Sequence, residues 1–250
     1  MKKAKAILVH VTLSLVLALP LIGLIRFAWF PGPWFETQAV LPLLALLLGI
    51  HLVVAPALTA LVYRPGKKGL VFDLVVIGAL QLAALGYGAW TVHSERPRWA
   101  VFAVDRFVPL AAKDVDFAAA GVEATPTGFR GPRYVFAEMP MGDAFQRFQD
   151  SVLFGGRPDL DRRPEFWRDF DTDAARAAVL DAARPLADLR TRRPDADEAL
   201  VEAARRQGLD PDAAPWVPLM GKRQEFAALL DAESARVLGV VAVDPWLREP

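Results

Sequence analysis

The 250-residue chain is 54% hydrophobic, carries 29 basic against 29 acidic side chains and contains no cysteine. Balanced charge gives no electrostatic footprint for nucleic acid, and no nucleic-acid partner is expected. Without cysteine there is neither a disulfide framework nor a thiolate metal site, so a domain of this chain must rest on its packed core alone.

The neutral total hides an asymmetry. Before residue 94 the only charged side chains are Lys2, Lys3, Lys5, Arg26, Glu36, Arg64, Lys67, Lys68 and Asp73, which makes the first 93 residues +5 and the remainder −5. Three apolar segments, residues 6–28, 38–62 and 70–92, fill this charge-poor region. Each exceeds the roughly 20 apolar residues that cross a hydrocarbon core. The sequence predicts a three-helix transmembrane anchor over residues 1–93 and a soluble domain over residues 99–250.

The first segment has the basic start of a signal peptide, but its apolar run over residues 7–25 is longer than a usual h-region and no small-x-small cleavage site follows. It reads as an uncleaved anchor, with Pro20 tolerated inside a membrane helix. Lys2, Lys3 and Lys5 precede the first span, and Arg64, Lys67 and Lys68 lie between the second and third. Positive loops stay in the cytoplasm, so the N-terminus is expected inside, with the loop over residues 26–37 and everything after residue 92 outside. Trp29, Trp34, Trp90 and Trp99 fall near the expected outer boundary, where amphipathic rings prefer to sit.

Polar side chains inside the spans draw attention because they are costly there unless paired. At about 1.5 Å per residue, His51 and Gln81 each lie about 15–18 Å into their helices, at matching depth. Thr59 and Asp73 fall near the cytoplasmic boundary. A hydrogen bond fixing spans two and three is the favoured reading over a proton or substrate path, because no charged relay crosses the membrane. Ala45 with Gly49, and Ala84 with Gly88, have the small-residue spacing that admits close helix approach.

The soluble part reads as α+β. Residues 99–105 alternate as a strand continuing toward Leu110, and residues 134–137 form a second. A helix is expected over residues 142–154, with Phe145, Phe148 and Val152 on one face and Gly155–Gly156 as its stop. Residues 172–189 are Ala-rich and helical, bent or ended by Pro185. Asp195 and Glu198 resemble a capping box opening a helix that ends near Gly208. Residues 217–219, 225–230 and 237–243 read as strands, the last two forming a hairpin, and the Pro-, Asp- and Arg-rich residues 157–171 read as irregular surface.

The histidines, His10, His51 and His93, all precede the soluble domain. A Cys/His zinc site and a Ser-His-Asp hydrolase are thereby excluded from that domain. Ser94, Ser151 and Ser234 show neither a G-x-S-x-G elbow nor an S-x-x-K pair, and Gly66-Lys67-Lys68-Gly69 lacks the spacing of a phosphate-binding loop. Asp169, Asp171 and Asp173 have the opening spacing of a calcium loop, but Ala174 and Leu180 stand where glycine and a bidentate glutamate belong. The acidic run fits a helix N-terminus better. Many carboxylate pairs exist and none is singled out.

The run from His51 through Pro56 to Thr59, the loop Arg64-Pro-Gly-Lys67-Lys68, and Phe72-Asp73-Leu74 with Gln81, Tyr87 and Gly88 resemble the type IV pilin accessory proteins, the TfpX/TfpZ group. So do Trp34-Phe35-Glu36, the run from Val101 to Phe107, Pro218-Leu-Met-Gly221 and Val243-Asp244-Pro245-Trp246. The resemblance is strong over residues 30–114 and looser beyond, and it departs from the family pattern at His51 and Ala55, where an acidic residue and a glycine are expected. It implies a multi-pass bacterial inner-membrane protein with a periplasmic domain, non-enzymatic and without cofactor or metal, that supports surface display of a cognate pilin. The implied partners are the major type IV pilin, inner-membrane components of the assembly machinery and the lipid bilayer. His51, Pro56, Thr59, Asp73, Gln81 and Tyr87 are the candidate helix-packing or partner contacts. Two other readings remain open from the residues: a periplasm-facing membrane enzyme using a carboxylate pair, and a small sensor or transport subunit using His51.

Overall fold

Leu-, Val- and Ala-rich runs interrupted only by Gly, Pro and a few polar residues form three helical spans, Lys3–Trp29, Val40–Val62 and Leu70–Ser94, each long and apolar enough to cross a membrane. The computed structural model describes residues 3–246. It divides into two units, one of Met1–Trp29 with Ala39–Glu95 and the other of Phe30–Gln38 with Arg96–Pro250.

In the first unit, α1 (Lys3–Leu24) continues through a π-helical turn, Ile25–Trp29. A single-turn helix, α2 (Trp34–Thr37), sits in the following connection and belongs to the second unit. The second span is broken into α3 (Val40–Gly49), a π turn over Ile50–Val54, and α4 (Ala55–Val62). Pro56 accounts for the break, because its ring crowds the carbonyl four residues back and it has no N–H to give. The Ala55 N–H accordingly reaches back five residues, to the Ile50 carbonyl. The third span is the unbroken α5 (Leu70–Ser94). The α4 helix packs against both α1 and α5. Gly88 of α5 admits Leu47 of α3 so closely that an added Cβ would lie 2.6 Å from Leu47 Cδ1. Around Gly49 there is open space instead, so of the two expected small-residue pairs the one containing Gly88 forms the close contact.

The second unit is built on a mixed sheet. A hairpin of β1 (Trp99–Ala103) and β2 (Arg106–Leu110) leads to a helical turn, α6 (Phe117–Ala120), and then to β3 (Arg133–Ala137). There follow α7 (Asp143–Leu153), β4 (Trp167–Asp169), α8 (Asp173–Ala182), the two-residue β5 (Arg184–Pro185), α9 (Leu186–Arg192) and α10 (Asp197–Arg206). The chain closes with β6 (Pro215–Met220), β7 (Glu225–Leu230) and β8 (Val237–Val241). Strand order is β4-β3-β1-β2-β6-β7-β8, with β5 paired beside β6. The β1/β3 and β2/β6 pairs are parallel and the others antiparallel.

Strand alternation divides β1 between two cores. Ala100 and Phe102 face a cluster with Phe107, Phe170, Leu219 and Phe226, while Trp99, Val101 and Ala103 face Leu110, Phe148 and Trp167. A third cluster joins Leu186, Leu189 and Leu200 of α9 and α10 to Trp216 and Leu229 of the sheet.

The loop between spans one and two is part of this second unit rather than of the anchor, a division that composition alone does not reveal. Trp34 is buried in the cluster around Phe102 and Phe107 and meets Tyr134 edge-on, with ring centroids 6.0 Å apart. Thr37 O accepts the Lys222 N–H at 2.8 Å. A loop and a domain that fold together must emerge on one side of any membrane the spans cross, and the two spans that separate them return the chain to that side.

Several expected elements differ in form. The strand expected to run from Trp99 toward Leu110 is a hairpin, because Val104 takes a φ of 61° and reverses the chain. Residues 157–171 are not irregular surface: they supply β4 and the buried Leu160, Arg163, Trp167 and Phe170. Arg163 is buried between the rings of Phe148 and Phe166 and bound to Glu165 at 2.6 Å, so a charged sequence conceals core. The expected capping box is absent: Asp195 pairs with Arg193 at 2.7 Å, and a 3-10 turn over Pro194–Ala196 starts α10 instead. Of the strand expected over residues 237–243, only Val237–Val241 pairs.

Candidate functional site

His51 and Gln81, matched in depth by the sequence, meet within the first unit as part of a larger polar network. Gln81 is its hub. The Gln81 amide nitrogen lies 2.7 Å from Ser14 Oγ, 3.2 Å from the His51 carbonyl oxygen and 3.1 Å from His51 Nδ1. A carbonyl oxygen only accepts, so the nitrogen of the amide must be the atom that faces it. Gln81 Oε1 then faces His10 Nε2 at 2.7 Å, and Thr59 Oγ1 lies 2.8 Å from His10 Nδ1. A neutral imidazole has one donor and one acceptor. His10 therefore donates from Nε2 to Gln81 and accepts at Nδ1 from the Thr59 hydroxyl. Hydrogen bonds run in one direction from α4 through α1 to α5 and back to the second span.

The π turn explains why Gln81 is needed. In a regular helix the His51 carbonyl would accept from Ala55, but that N–H is committed to Ile50, and the next residue, Pro56, has none. The Gln81 side chain supplies the missing donor. Interhelical hydrogen bonds in membranes are worth about 0.6 kcal/mol on average, up to about 2 kcal/mol, so the network joins all three spans without dominating their stability.

The six residues singled out by sequence divide into three groups. His51, Thr59 and Gln81 lie in the network, and Pro56 shapes it. Asp73 stands apart, paired with Lys67 at 2.6 Å. Tyr87 is largely exposed, with its ring 5.9 Å from that of Trp90. Sequence reasoning missed His10 and Ser14. Their signal is spacing: two polar residues four apart share one face of a helix, and Ser14 is buried there. Between α1 and α5 a groove of about 430 Å³ runs beside the network, lined by Leu13, Leu74 and Gly78 as well as His10 and Gln81.

In the second unit, burial is the chief cause of the shifts at Tyr134, Arg96 and Asp161. The Tyr134 hydroxyl accepts from the Val237 N–H at 3.3 Å, and burial pushes its phenol up to about 12. Burial and the neighbouring Arg98 push the Arg96 guanidinium down to about 10. Burial likewise raises the Asp161 carboxyl. The acidic run at Asp169 is divided among local partners, with Asp171 on Arg236 and Asp173 on Arg176. Among the described residues, no three His, Cys, Asp or Glu side chains gather as a metal site would require.

No protein-family model matches the chain, and no solved structure does. Curated relatives do. The fimbrial assembly proteins of Dichelobacter nodosus serogroups E1 and I are each 27% identical to the chain over 245 residues, covering 95% of it and 94% of their own length. The fimbrial assembly protein of serogroups C1 and C2 is 34% identical over 109 residues, which is 43% of this chain and 83% of that protein. Matched nearly end to end by two of these proteins and at this higher identity by the third, the chain belongs to the fimbrial assembly protein family.

Proposed function

We propose that the protein is a non-enzymatic accessory factor of type IV pilus biogenesis, held in the bacterial inner membrane with its sheet domain in the periplasm. It supports assembly or display of a cognate major pilin by contacting that pilin or modulating the assembly machinery. The observation that carries this reading is the end-to-end similarity to fimbrial assembly proteins, which spans the three helices and the sheet domain alike. The composition of the sheet domain supports a binding role, because it contains neither histidine nor cysteine. In the anchor, the neutral network consumes its own donors and acceptors, which suits a rigid packing surface for another apolar helix.

Deleting the gene tests the reading. Surface pili should fall while the cellular pilin pool persists, and pilin should co-purify with the full-length protein from detergent. Unchanged piliation in the deletion would overturn the accessory role. An isolated carboxylate substitution that abolishes piliation in a folded, pilin-bound protein would replace it with catalysis, since losing a general acid or base costs about 10²–10⁴ in rate.

A further inference from the structure

Val104 holds a backbone conformation that its own side chain opposes. The β1–β2 hairpin closes through two residues, Val104 and Asp105, since Ala103 pairs with Arg106. Within it the Asp105 N–H donates to the Ala103 carbonyl at 2.8 Å, across a Val104 φ of 61°. A bond over three residues with a positive central φ is the rare, strained form of the γ-turn. Hairpins of this length place glycine, asparagine or aspartate at positive φ, and a β-branched residue there is an outlier.

Packing within the domain does not account for the valine. Val104 is 64% exposed and belongs to none of the three core clusters. Its neighbours brace the turn: Asp105 holds Arg106 at 2.7 Å, and the Arg106 guanidinium lies 4.1 Å from the centre of the Trp246 ring. Glycine at position 104 would close the same hairpin without strain, so the valine methyls are retained against the stability of the fold.

The rest of that sheet end is apolar too. β1 and β3 run parallel with Ala103 beside Ala137, so the chain leaving β3 emerges at the end where Val104 lies. It carries Met139 and Met141, the latter 86% exposed. Unbranched thioether side chains adapt to the contours of a partner. The charges alongside neutralise one another, Asp105 with Arg106 and Glu138 with Arg168 at 2.8 Å. An apolar centre within a rim of paired charges fits an uncharged protein surface, and offers little to a phosphate-bearing ligand.

We propose that Val104, Met139 and Met141 form the face by which the sheet domain holds the cognate pilin, with Val104 as a rigid anchor in an apolar depression on that protein. This rests on the accessory reading and names the contact surface that the reading requires. The strained turn suits an anchor, because a side chain already fixed by its backbone loses little freedom on binding. The two methionines close around it.

The test sets stability against binding in the full-length protein. Val104→Gly should raise the midpoint of thermal unfolding by about 2–4 °C, since it relieves the turn. The same variant should lose pilin, with the amount co-purifying from detergent falling at least about fivefold, as truncation of an interface anchor does. Met141→Ser should lower the captured pilin without moving the midpoint. Leu153→Ser is the reference, an exposed apolar position at the far end of α7, about 16 Å along that helix, and should change neither reading. Undiminished pilin on a more stable Val104→Gly protein overturns the face alone. A midpoint that does not rise overturns the strain, and an equal loss of pilin in Leu153→Ser overturns the location. Absence of pilin from the unaltered preparation overturns the accessory reading and the face together.

Discussion

The Gln81 side chain donates to the main-chain carbonyl of His51, 3.2 Å away, at a point where Pro56 has taken the helical donor out of the second span. A side chain on one helix thus repairs the backbone of another. Two residues that look independent in the sequence, a proline and a glutamine 25 positions apart, become halves of one arrangement.

This dependence predicts a coupling. Gln81→Leu should destabilise the anchor by about 1–2 kcal/mol, since it removes several interhelical bonds and orphans a carbonyl. In a Pro56→Ala background the restored N–H can satisfy the second span, so the same substitution should cost measurably less. Unfolding of all four proteins in detergent measures the coupling, and strict additivity would mean that Gln81 does not serve the proline break.

The network also bears on proton transfer. His10 and His51 are joined only through the Gln81 carboxamide, which donates on one side and accepts on the other but does not exchange its proton as an imidazole does. His51→Leu should therefore leave piliation in proportion to protein level. His10→Leu should cost more stability, because His10 bridges Thr59 and Gln81. Abolished piliation in a His51→Leu protein of normal abundance and normal pilin association would establish a relay.

Trp34 is only 4% exposed, although it belongs to a loop between spans. Trp34→Ala should destabilise the sheet unit by about 3–5 kcal/mol, the cost of emptying a large buried site. Thermal unfolding of the full chain, followed by near-ultraviolet dichroism, should show the loss, and Trp34→Phe should recover part of it. No change in either variant would mean that the loop is not core.

Tyr134 predicts alkaline sensitivity. Its folded pKa of about 12 lies above the ordinary phenol value of 10.0, so its contribution is complete below pH 10 and is lost as pH rises toward 12. At most about 2–3 kcal/mol is at stake for a shift of this size. Tyr134→Phe should flatten that part of the stability curve, at the cost of about 1 kcal/mol near neutrality for the bond from Val237. An unchanged alkaline slope in the variant would assign the loss to other groups.

Orientation is tested by fusion. Alkaline phosphatase should be active when joined at Pro250 and inactive at Gly66, as the basic Arg64, Lys67 and Lys68 loop requires. The reverse pattern would invert the layout.

The spans were legible because hydropathy over twenty residues is a strong, local signal, and the depth match of His51 with Gln81 followed from the rise of a helix. His10 was not legible by depth from the N-terminus, because its partner Thr59 is reached only by counting back from the far end of another span. In the sheet domain, short apolar runs bounded by turn residues revealed β3, β6 and β7. The β1–β2 turn was hidden because it uses Val104 and Asp105 rather than glycine. Residues 157–171 misled for a different reason: Arg163 is buried through stacking and an ion pair, which composition counts as surface. The membership of Trp34 in the sheet core is a contact across about a hundred residues, beyond any local pattern.

That contact also imposes a schedule on synthesis. Trp34 leaves the ribosome early, whereas Phe226 and Leu230, which share its cluster, follow almost two hundred residues later. At about 5–20 residues per second, the tryptophan waits about 10–40 s for its partners. During that interval the tryptophan must be kept from other apolar surfaces. The sheet therefore closes only after all three spans have been made, so the domain cannot finish folding until the anchor is complete in the chain.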